Sequence, residues 1–272
     1  MTPAVALTVA GSDSGGGAGI QADLLTFAAH RVHGTCAVTA VTAQHTGGVT
    51  ATVALEPAMV LAQVEAVVTD LRPAAAKTGM LANPAIVAAV AGLAAAGALP
   101  NLVVDPVLVS TSGHPLMGDG GIGAYRALLL PRATVATPNL REAAALTGRR
   151  FSDLATVEAM AEVAEELRAL GTGTVVVKGG HFVQAGGRDG SPDVVAGPDG
   201  TTVLWADRLA TGNDHGTGCS LSAAIAANLA LGQPVLAAVE AAKAYVGRAL
   251  AGAAGWKLGA GHGPIDHFGW TA

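Results

Sequence analysis

Aromatic and charged residues are both scarce in this sequence of 272 residues. Only 3% of the residues are aromatic and 13% are charged, whereas 51% are apolar. A core with so few large rings must be built from Ala, Val and Leu, packed closely between helices and strands. A chain of this length can bury the core of one large α/β domain and is short for two, so we expect a single domain over residues 1–272.

Clusters of Lys and Arg are also missing from the sequence. The 15 basic residues are outnumbered by 20 acidic ones, which gives a net charge of −5 and disfavours a nucleic-acid partner. The first basic residue is Arg31, whereas a signal peptide begins with positive charge. The apolar stretch 86–99 is interrupted by glycine and is shorter than the about 20 residues of a membrane span. We therefore expect a cytoplasmic protein with neither nucleic-acid nor membrane partners.

Cysteine occurs only twice, as Cys36 and Cys219. Two cysteines this far apart match neither a zinc site nor a disulfide framework, and they fit a reducing compartment. Cys219 ends a run of small residues, GNDHGTGC at 212–219, and an apolar helical pattern follows over 221–231. The sequence around this second cysteine is therefore the most informative part of the chain.

The start of a helix suits an anion, because its backbone N–H groups lack partners and the helix dipole adds positive charge. The same position can lower the pKa of a thiol from about 8.5 towards neutrality, which makes Cys219 a candidate base or nucleophile. A phosphate cradle with a candidate base predicts phosphoryl transfer. An ordinary Gly-rich turn with a buried cysteine fits the octapeptide equally well.

Short β-branched runs alternate with longer apolar helical patterns, which is typical of βαβ units and a parallel sheet. The predicted strands are residues 5–10, 36–42, 74–77, 102–105, 134–137 and 174–178, with an antiparallel edge hairpin at 193–196 and 202–205. The predicted helices are residues 18–30, 58–71, 84–96, 121–129, 140–146, 157–170, 217–231 and 235–250. The fold class is therefore α/β.

Polar or glycine-rich segments follow each of the six predicted parallel strands. These segments are 11–13, Gln44, 77–80, 105–107, 138–139 and 178–181. Because ligands bind at the carboxyl ends of the strands in open α/β sheets, we expect these segments to meet at one site. Their convergence is a stronger indication than any single motif.

The glycine-rich segment 11–19 matches neither common nucleotide-binding loop. It lacks the Gly-Lys-Ser/Thr ending of a P-loop, and Ile20 stands where a dinucleotide fingerprint needs its third glycine. The segment is either a tight turn or a backbone wall for a small ligand, with Asp23 pointing at that ligand from the following helix. Gln44 either satisfies loop backbone or pairs with the edge of an amino-substituted heterocycle, since a carboxamide both donates and accepts.

Further polar residues each have two interpretations. Asn139 and Glu142 have the spacing of a helix capping box, or they organise a Mg²⁺–phosphate shell through water, as Asp105 could also do. Lys178 either extends into solvent or reaches a nucleotide phosphate. His215 either hydrogen-bonds the backbone of its turn or shapes the loop around phosphate.

The motifs follow one another in the order typical of one enzyme family. They are AGSD at 10–13, AGIQAD at 18–23, VTAQ at 41–44, KTGML at 77–81, DPV at 105–107, STSG at 110–113, TPN at 137–139 with Glu142, KGGH at 178–181, HGTGC at 215–219 and GHGPIDHF at 261–268. Through them the chain resembles the hydroxymethylpyrimidine/phosphomethylpyrimidine kinases of thiamine biosynthesis, in the ribokinase-like superfamily. Each motif is weak alone, but the ordered set covers the chain from end to end.

This resemblance implies a ribokinase-like three-layer α/β/α sandwich with a mostly parallel sheet, MgATP as the phosphoryl donor, and a homodimer. It implies that Cys219 is the base and that the pyrimidine pocket is lined by Gly11, Asp23, Gln44, Met80 and Val107. We expect the backbone N–H groups of Gly216, Thr217, Gly218 and Cys219 to face the transferring phosphate. We expect Lys178 to offset phosphate charge, and Mg²⁺ to be held indirectly, through water, by Asp105, Asn139 or Glu142.

Leu25, His45 and Asp214 depart from the family pattern. Asp214 places negative charge near the phosphate loop, and His45 changes the group beside the pyrimidine contact. Both changes bear more on the second phosphorylation, from monophosphate to diphosphate, than on the first. Relatives with the same loop use pyridoxal, so a kinase of vitamin B6 salvage is the alternative. A non-catalytic pyrimidine sensor is a further one, although it would not need the loop 216–219.

Overall fold

The computed structural model describes residues 2–109, 116–180, 182 and 190–270. Residues 110–113 and His181 of the family motifs lie outside this set. The described strands form one sheet in the order β3-β2-β1-β4-β5-β6-β7-β8-β9. They are β1 (Val5–Asp13), β2 (His33–His45), β3 (Gly48–Ala54), β4 (Ala75–Thr78), β5 (Val103–Val104), β6 (Val135–Ala136), β7 (Thr174–Lys178), β8 (Ser191–Gly197) and β9 (Gly200–Ala206).

The centre of the sheet is parallel and its two edges are antiparallel. The strands from β2 through β1 and β4 to β7 all pair in parallel. At one edge β3 pairs antiparallel with β2, and at the other β8 and β9 form a hairpin antiparallel to β7. The helices are α1 (Gly19–Ala29), α2 (Pro57–Asp70), α3 (Pro84–Ala95), α4 (Gly121–Ala124), α5 (Leu140–Thr147), α6 (Val157–Arg168), α7 (Thr217–Ala230) and α8 (Val235–Ala253).

Helices cover both faces of the sheet, because successive residues of a strand point to opposite sides. On β7, Val175 and Val177 pack in a core shared with α2, α3, α5 and α6. Val176 between them packs in a second core shared with α1, α7 and α8. The three-layer α/β/α sandwich expected from the resemblance is therefore confirmed.

The predicted elements differ most from the observed ones at strand β3, at the helix predicted over 121–129, and at strands β5 and β6. Strand β3 was not predicted, since residues 50–54 are all exposed and carry little apolar periodicity. The predicted helix 121–129 is α-helical only to Ala124 and continues as a π-helical turn over Tyr125–Leu129. Strands β5 and β6 are each only two residues long. None of the described helices has the length and apolar character of a membrane span.

His267 is buried close to α1 and α8. Its Nδ1 atom lies 3.0 Å from the hydroxyl oxygen of Tyr245 and 3.3 Å from that of Thr26. Burial lowers the pKa of His267 to about 4, although the nearby Asp266 carboxylate opposes this change. The imidazole is therefore neutral in the folded protein at neutral pH.

This histidine predicts a loss of stability in mild acid. The unfolded chain binds a proton at His267 below about pH 6.5, whereas the folded chain binds it only near pH 4, so stability falls as the pH drops through this window. We expect the free energy of unfolding to fall by about 2–3 kcal/mol between pH 7 and pH 4.5 because of this residue alone. Urea unfolding of His267→Gln should show a smaller fall, and the exposed His33→Gln should match the wild type. If His267→Gln kept the pH dependence of the wild type, His267 would not be the cause of the loss of stability in acid.

Candidate active site

A cavity of about 1040 Å³ opens at the carboxyl ends of the parallel strands. Its walls come from the ends of β1 and β2, from the segments after β4, β5 and β6, and from the start of α7. The sequence-predicted residues that line it are Gly11, Gln44, Met80, Asp105, Val107, Asn139, Glu142, Lys178, His215, Gly216, Thr217, Gly218 and Cys219. The expected convergence at the strand ends is present in the structure.

The loop before α7 is held against the loop after β1 by a very close backbone contact. Gly216 caps α7 with φ +81°, and a Cβ atom on it would lie 1.8 Å from the carbonyl oxygen of Gly17. Only glycine fits both the conformation and the space. The N–H of Thr217 donates to the carbonyl of Asp214 at 3.2 Å. That the N–H groups of Gly216, Thr217, Gly218 and Cys219 face a phosphate stays a prediction, and among them the Thr217 N–H already has this partner within the loop.

Cys219 is partly buried in the first turn of α7, at the wall of the cavity. Burial raises the pKa of its thiol to about 11. Lys77 and the backbone N–H of Gly19 favour the thiolate, but the carboxylates of Asp23 and Asp105 oppose it. The sequence left open whether the helix terminus lowers this pKa, and in the structure the largest influence is desolvation, which raises it.

Asp23 does not line the cavity, which corrects the expectation that it contacts the pyrimidine. Its carboxylate is fully buried and accepts hydrogen bonds from Lys77 Nζ at 2.9 Å and from the Thr8 hydroxyl at 2.6 Å. Burial raises the pKa of Asp23. Burial alone would lower the pKa of Lys77, but the facing Asp23 carboxylate outweighs this effect, and the pKa of Lys77 is raised. Asp23 and Lys77 form an ion pair close to Cys219 rather than a ligand contact.

A second buried charge cluster lies along the cavity. Lys178 Nζ donates to Asp105 Oδ1 at 2.8 Å. Asn139 and Glu142 form the predicted capping box at the start of α5, with reciprocal hydrogen bonds of 2.9 and 2.8 Å. Burial raises the pKa of Glu142 to about 7, although Lys178 opposes the rise. The capping interpretation is therefore confirmed, and the box also faces the cavity.

These carboxylates are not arranged as a direct metal site. Within the described part of the chain, no three His, Cys, Asp or Glu side chains are close enough to hold an ion. Lys178 occupies one oxygen of Asp105, and the Ser222 hydroxyl lies 3.3 Å from the other. Such a donor set fits Mg²⁺ that is bound mainly by phosphate and water, since Mg²⁺ usually keeps several waters.

The model of one family, described as phosphomethylpyrimidine kinase, matches residues 13–266. The chain belongs to this family. A hydroxymethylpyrimidine/phosphomethylpyrimidine kinase of Synechococcus elongatus is 48% identical over 268 residues, with 98% of each chain covered. The Rhizobium meliloti protein of the same name is 49% identical, with 97% of each chain covered. This phosphomethylpyrimidine kinase family member is therefore a phosphotransferase.

Solved structures of kinases share its fold. The pyridoxal kinase of Bacillus subtilis, solved as an ADP complex, has a TM-score of 0.87 at 35% identity and covers 98% of each chain. The phosphomethylpyrimidine kinase of Clostridium difficile has a TM-score of 0.78 at 38% identity, covering 91% of this chain and 99% of that one. The ribokinase-like assignment of this family member is thus shown by structure as well as by sequence.

Sequence reasoning about this kinase placed Asp13 and Lys77 at the strand ends but missed what each of them contacts. Asp13 was grouped with the glycine-rich turn, but its carboxylate lies 3.0 Å from Nε2 of His215 and anchors the loop. Its signal was the Asp followed by glycines, which is typical of side chains that hydrogen-bond the backbone just ahead. Lys77 had no local signal, because its partner Asp23 is 54 residues away.

Proposed function

We propose that the chain transfers the γ-phosphoryl group of ATP to the hydroxymethyl group of 4-amino-5-hydroxymethyl-2-methylpyrimidine, and then to the resulting monophosphate. The observation that carries the proposal is that the Gln44 carboxamide and the Cys219 thiol line the same cavity, beside the loop at Gly216. The names of relatives that are 40–49% identical over nearly their whole length support the same reaction.

In this proposal the protein positions the reactants and neutralises charge, as phosphoryl transfer requires. Gln44 pairs with the aminopyrimidine edge, while Gly11, Met80 and Val107 form the pocket walls. The N–H groups of Gly216, Gly218 and Cys219 face the transferring phosphate, and Lys178 offsets its charge. In this arrangement the backbone N–H groups supply most of the transition-state stabilisation.

Cys219 is the proposed base. Its thiolate accepts the hydroxyl proton as the acceptor oxygen bonds to phosphorus and the bond from phosphorus to the leaving nucleoside diphosphate oxygen breaks. Mg²⁺, when bound, supplies positive charge to the nucleotide phosphates, and Asp105, Asn139 and Glu142 are the residues that would hold it through water. Glu142 and Asp105 therefore act on the nucleotide side of the cavity and Gln44 on the acceptor side.

Truncation of Gln44 should impair acceptor binding selectively. Leaving a buried polar edge of the ligand without its partner removes about 1–3 kcal/mol, so Gln44→Ala should raise the KM for the pyrimidine roughly 10-fold to 100-fold. The KM for ATP should change little. Steady-state kinetics with each substrate varied in turn would measure both, and equal increases in the two KM values would argue against a role in acceptor recognition.

The function is tested by ADP release from the purified protein with MgATP and three acceptors, the hydroxymethylpyrimidine, its monophosphate and pyridoxal. Turnover of both pyrimidines supports the proposal. Turnover of the first alone restricts it to one step, and exclusive use of pyridoxal overturns it. Pyridoxal is the second candidate acceptor because a pyridoxal kinase of Staphylococcus aureus, in complex with AMP-PCP and pyridoxal, has a TM-score of 0.87 at 32% identity.

We also propose a cytoplasmic homodimer. Both outer strands of the sheet, β3 and β9, have an edge without a further strand among the described residues. The hairpin of β8 and β9 is one place where two subunits could pair, since an open strand edge offers unpaired backbone groups. Sedimentation of the purified protein distinguishes a dimer from a monomer.

A further inference from the structure

Asp13 is a buried carboxylate that fixes the loop after β1. Only 3% of it is exposed, and it accepts backbone hydrogen bonds from Gly15 at 2.8 Å, Gly17 at 3.2 Å and Ala18 at 2.9 Å. Burial alone would raise its pKa, but the hydrogen bonds from His215 and from this backbone lower it below the usual range. The carboxylate is therefore a rigid, negatively charged anchor.

The ring of His215 lies between the Asp13 carboxylate and the Gln44 carboxamide. Its Nε2 atom lies 3.0 Å from Asp13 Oδ2 and 3.2 Å from Nε2 of Gln44. A carboxylate can only accept, so Nε2 of His215 carries its hydrogen towards Asp13. The Gln44 carboxamide then has to present its oxygen, not its NH2 group, to this N–H, and its NH2 group can donate to the Thr42 hydroxyl, which itself donates to the Ser12 carbonyl at 2.8 Å. The ring lies so close to Gly17 that a Cβ atom there would be 2.4 Å from Cδ2 of His215.

The backbone of His215 is fixed as firmly as its ring. Its N–H donates to the carbonyl of Gly263 at 3.0 Å, and the next residue is the close-packed Gly216. His215 therefore joins two functional parts of the cavity, with its side chain at Gln44 and its backbone at the start of the phosphate loop. The sequence left open whether this ring hydrogen-bonds the backbone of its turn or shapes the loop around phosphate, and in the structure the ring lies against Asp13, Gln44 and Gly17.

We propose that Asp13 and His215 are positioning residues that hold the Gln44 carboxamide at a fixed distance from the phosphate loop. An acceptor read by Gln44 is thereby aligned with Cys219. This inference rests on the proposed function, because it assumes that Gln44 reads the acceptor. The expected effect is on acceptor binding, because a Gln44 carboxamide that is no longer held in place pairs less well with the acceptor edge.

A double-mutant cycle tests the proposal. The cycle compares His215→Ala, Gln44→Ala and the double variant, with pyrimidine KM, ATP KM and kcat measured for each. If His215 acts through Gln44, His215→Ala raises the acceptor KM about tenfold in the wild-type background and less than about twofold in the Gln44→Ala background. The ATP KM and the dissociation constant of an ATP analogue should stay within about twofold.

Three further variants keep the test decisive. His215→Gln can place an amide nitrogen near the position of Nε2 and should recover most of the acceptor affinity. His215→Asn is shorter, so it should break the contact even if His215→Ala does not fold. His33→Ala removes an exposed histidine from the far end of β2 and should behave as the wild type.

Additive effects of His215→Ala and Gln44→Ala on the acceptor KM would overturn the proposal, as would an equal rise in the ATP KM. A different result would contradict the proposed function, namely that the wild type does not phosphorylate the pyrimidine. The double-mutant cycle is then measured with the acceptor that the wild type does use, and additive effects on the KM for that acceptor would again overturn the positioning role of His215.

Discussion

Cys219→Ala is expected to lower kcat for the hydroxymethyl acceptor by about 10²–10⁴, the usual contribution of a general base. The dissociation constants of acceptor and ATP analogue should change little, because the variant removes one sulfur from the cavity wall and leaves Gly216 and Gln44 in place. The measurement is steady-state kinetics together with equilibrium binding of each substrate.

The raised thiol pKa gives this prediction a second readout. With a pKa of about 11, only about one thiol in 10⁴ is ionised at pH 7, and the ionised share rises tenfold with each pH unit. The kcat/KM of the wild type should therefore rise towards tenfold per unit between pH 7 and pH 9. In Cys219→Ala this component of the pH profile should be lost, while any contribution from other groups remains.

The matched control is Cys36→Ala. Cys36 is the other free cysteine, lies on β2, and does not line the cavity. It should keep the activity and the pH profile of the wild type. If Cys219→Ala instead turned over within about threefold of the wild type with normal substrate binding, another group would have to take the proton.

Lys77→Met should cost about 3–5 kcal/mol of stability, the usual result of leaving one buried charge without its partner. Lys77 and Asp23 are both fully buried, and Nζ of Lys77 lies 2.9 Å from Oδ1 of Asp23. Met fills a similar volume but cannot compensate the carboxylate, so Asp23 must either stay charged in an apolar site or bind a proton. Urea unfolding at pH 7 measures the loss.

The double variant Lys77→Met with Asp23→Leu should recover most of this stability, because no unpaired charge remains. The control is Arg150→Met at an exposed pair with Asp153, where the Arg side chain is 84% exposed and the free energy of unfolding should change little. A double variant as unstable as Lys77→Met would show that packing, and not the unpaired charge, dominates at this place.

The fold and the place of the site could be predicted from the sequence because both depend on local patterns. Apolar periodicity located the parallel strands, and the polar residue after each strand, such as Gln44 or Asp105, marked the edge where ligands bind. The spacing of Asn139 and Glu142 indicated a capping box, beside the alternative of a Mg²⁺–phosphate shell. Each of these signals lies within a few residues of the element it describes.

What could not be predicted depends on distant partners and on solvation. Asp23 has the same sequence context whether it faces a ligand or Lys77, and only the folded chain shows the ion pair. The sequence shows that Cys219 stands at the start of a helix, but the largest influence on its thiol pKa is burial, which only the folded chain shows. Strand β3 was missed because an exposed edge strand needs little apolar sequence.

The contact between Asp13 and His215 joins residues 202 positions apart in the chain. At a synthesis rate of about 5–20 residues per second, roughly 10–40 s pass between the addition of the two residues on a ribosome. For most of that time the growing chain carries Gln44 but has neither His215 nor the loop at Gly216. In the proposed function, a chain that stops before residue 215 therefore lacks the group that aligns the acceptor and the loop that binds phosphate, so both parts of the site form together.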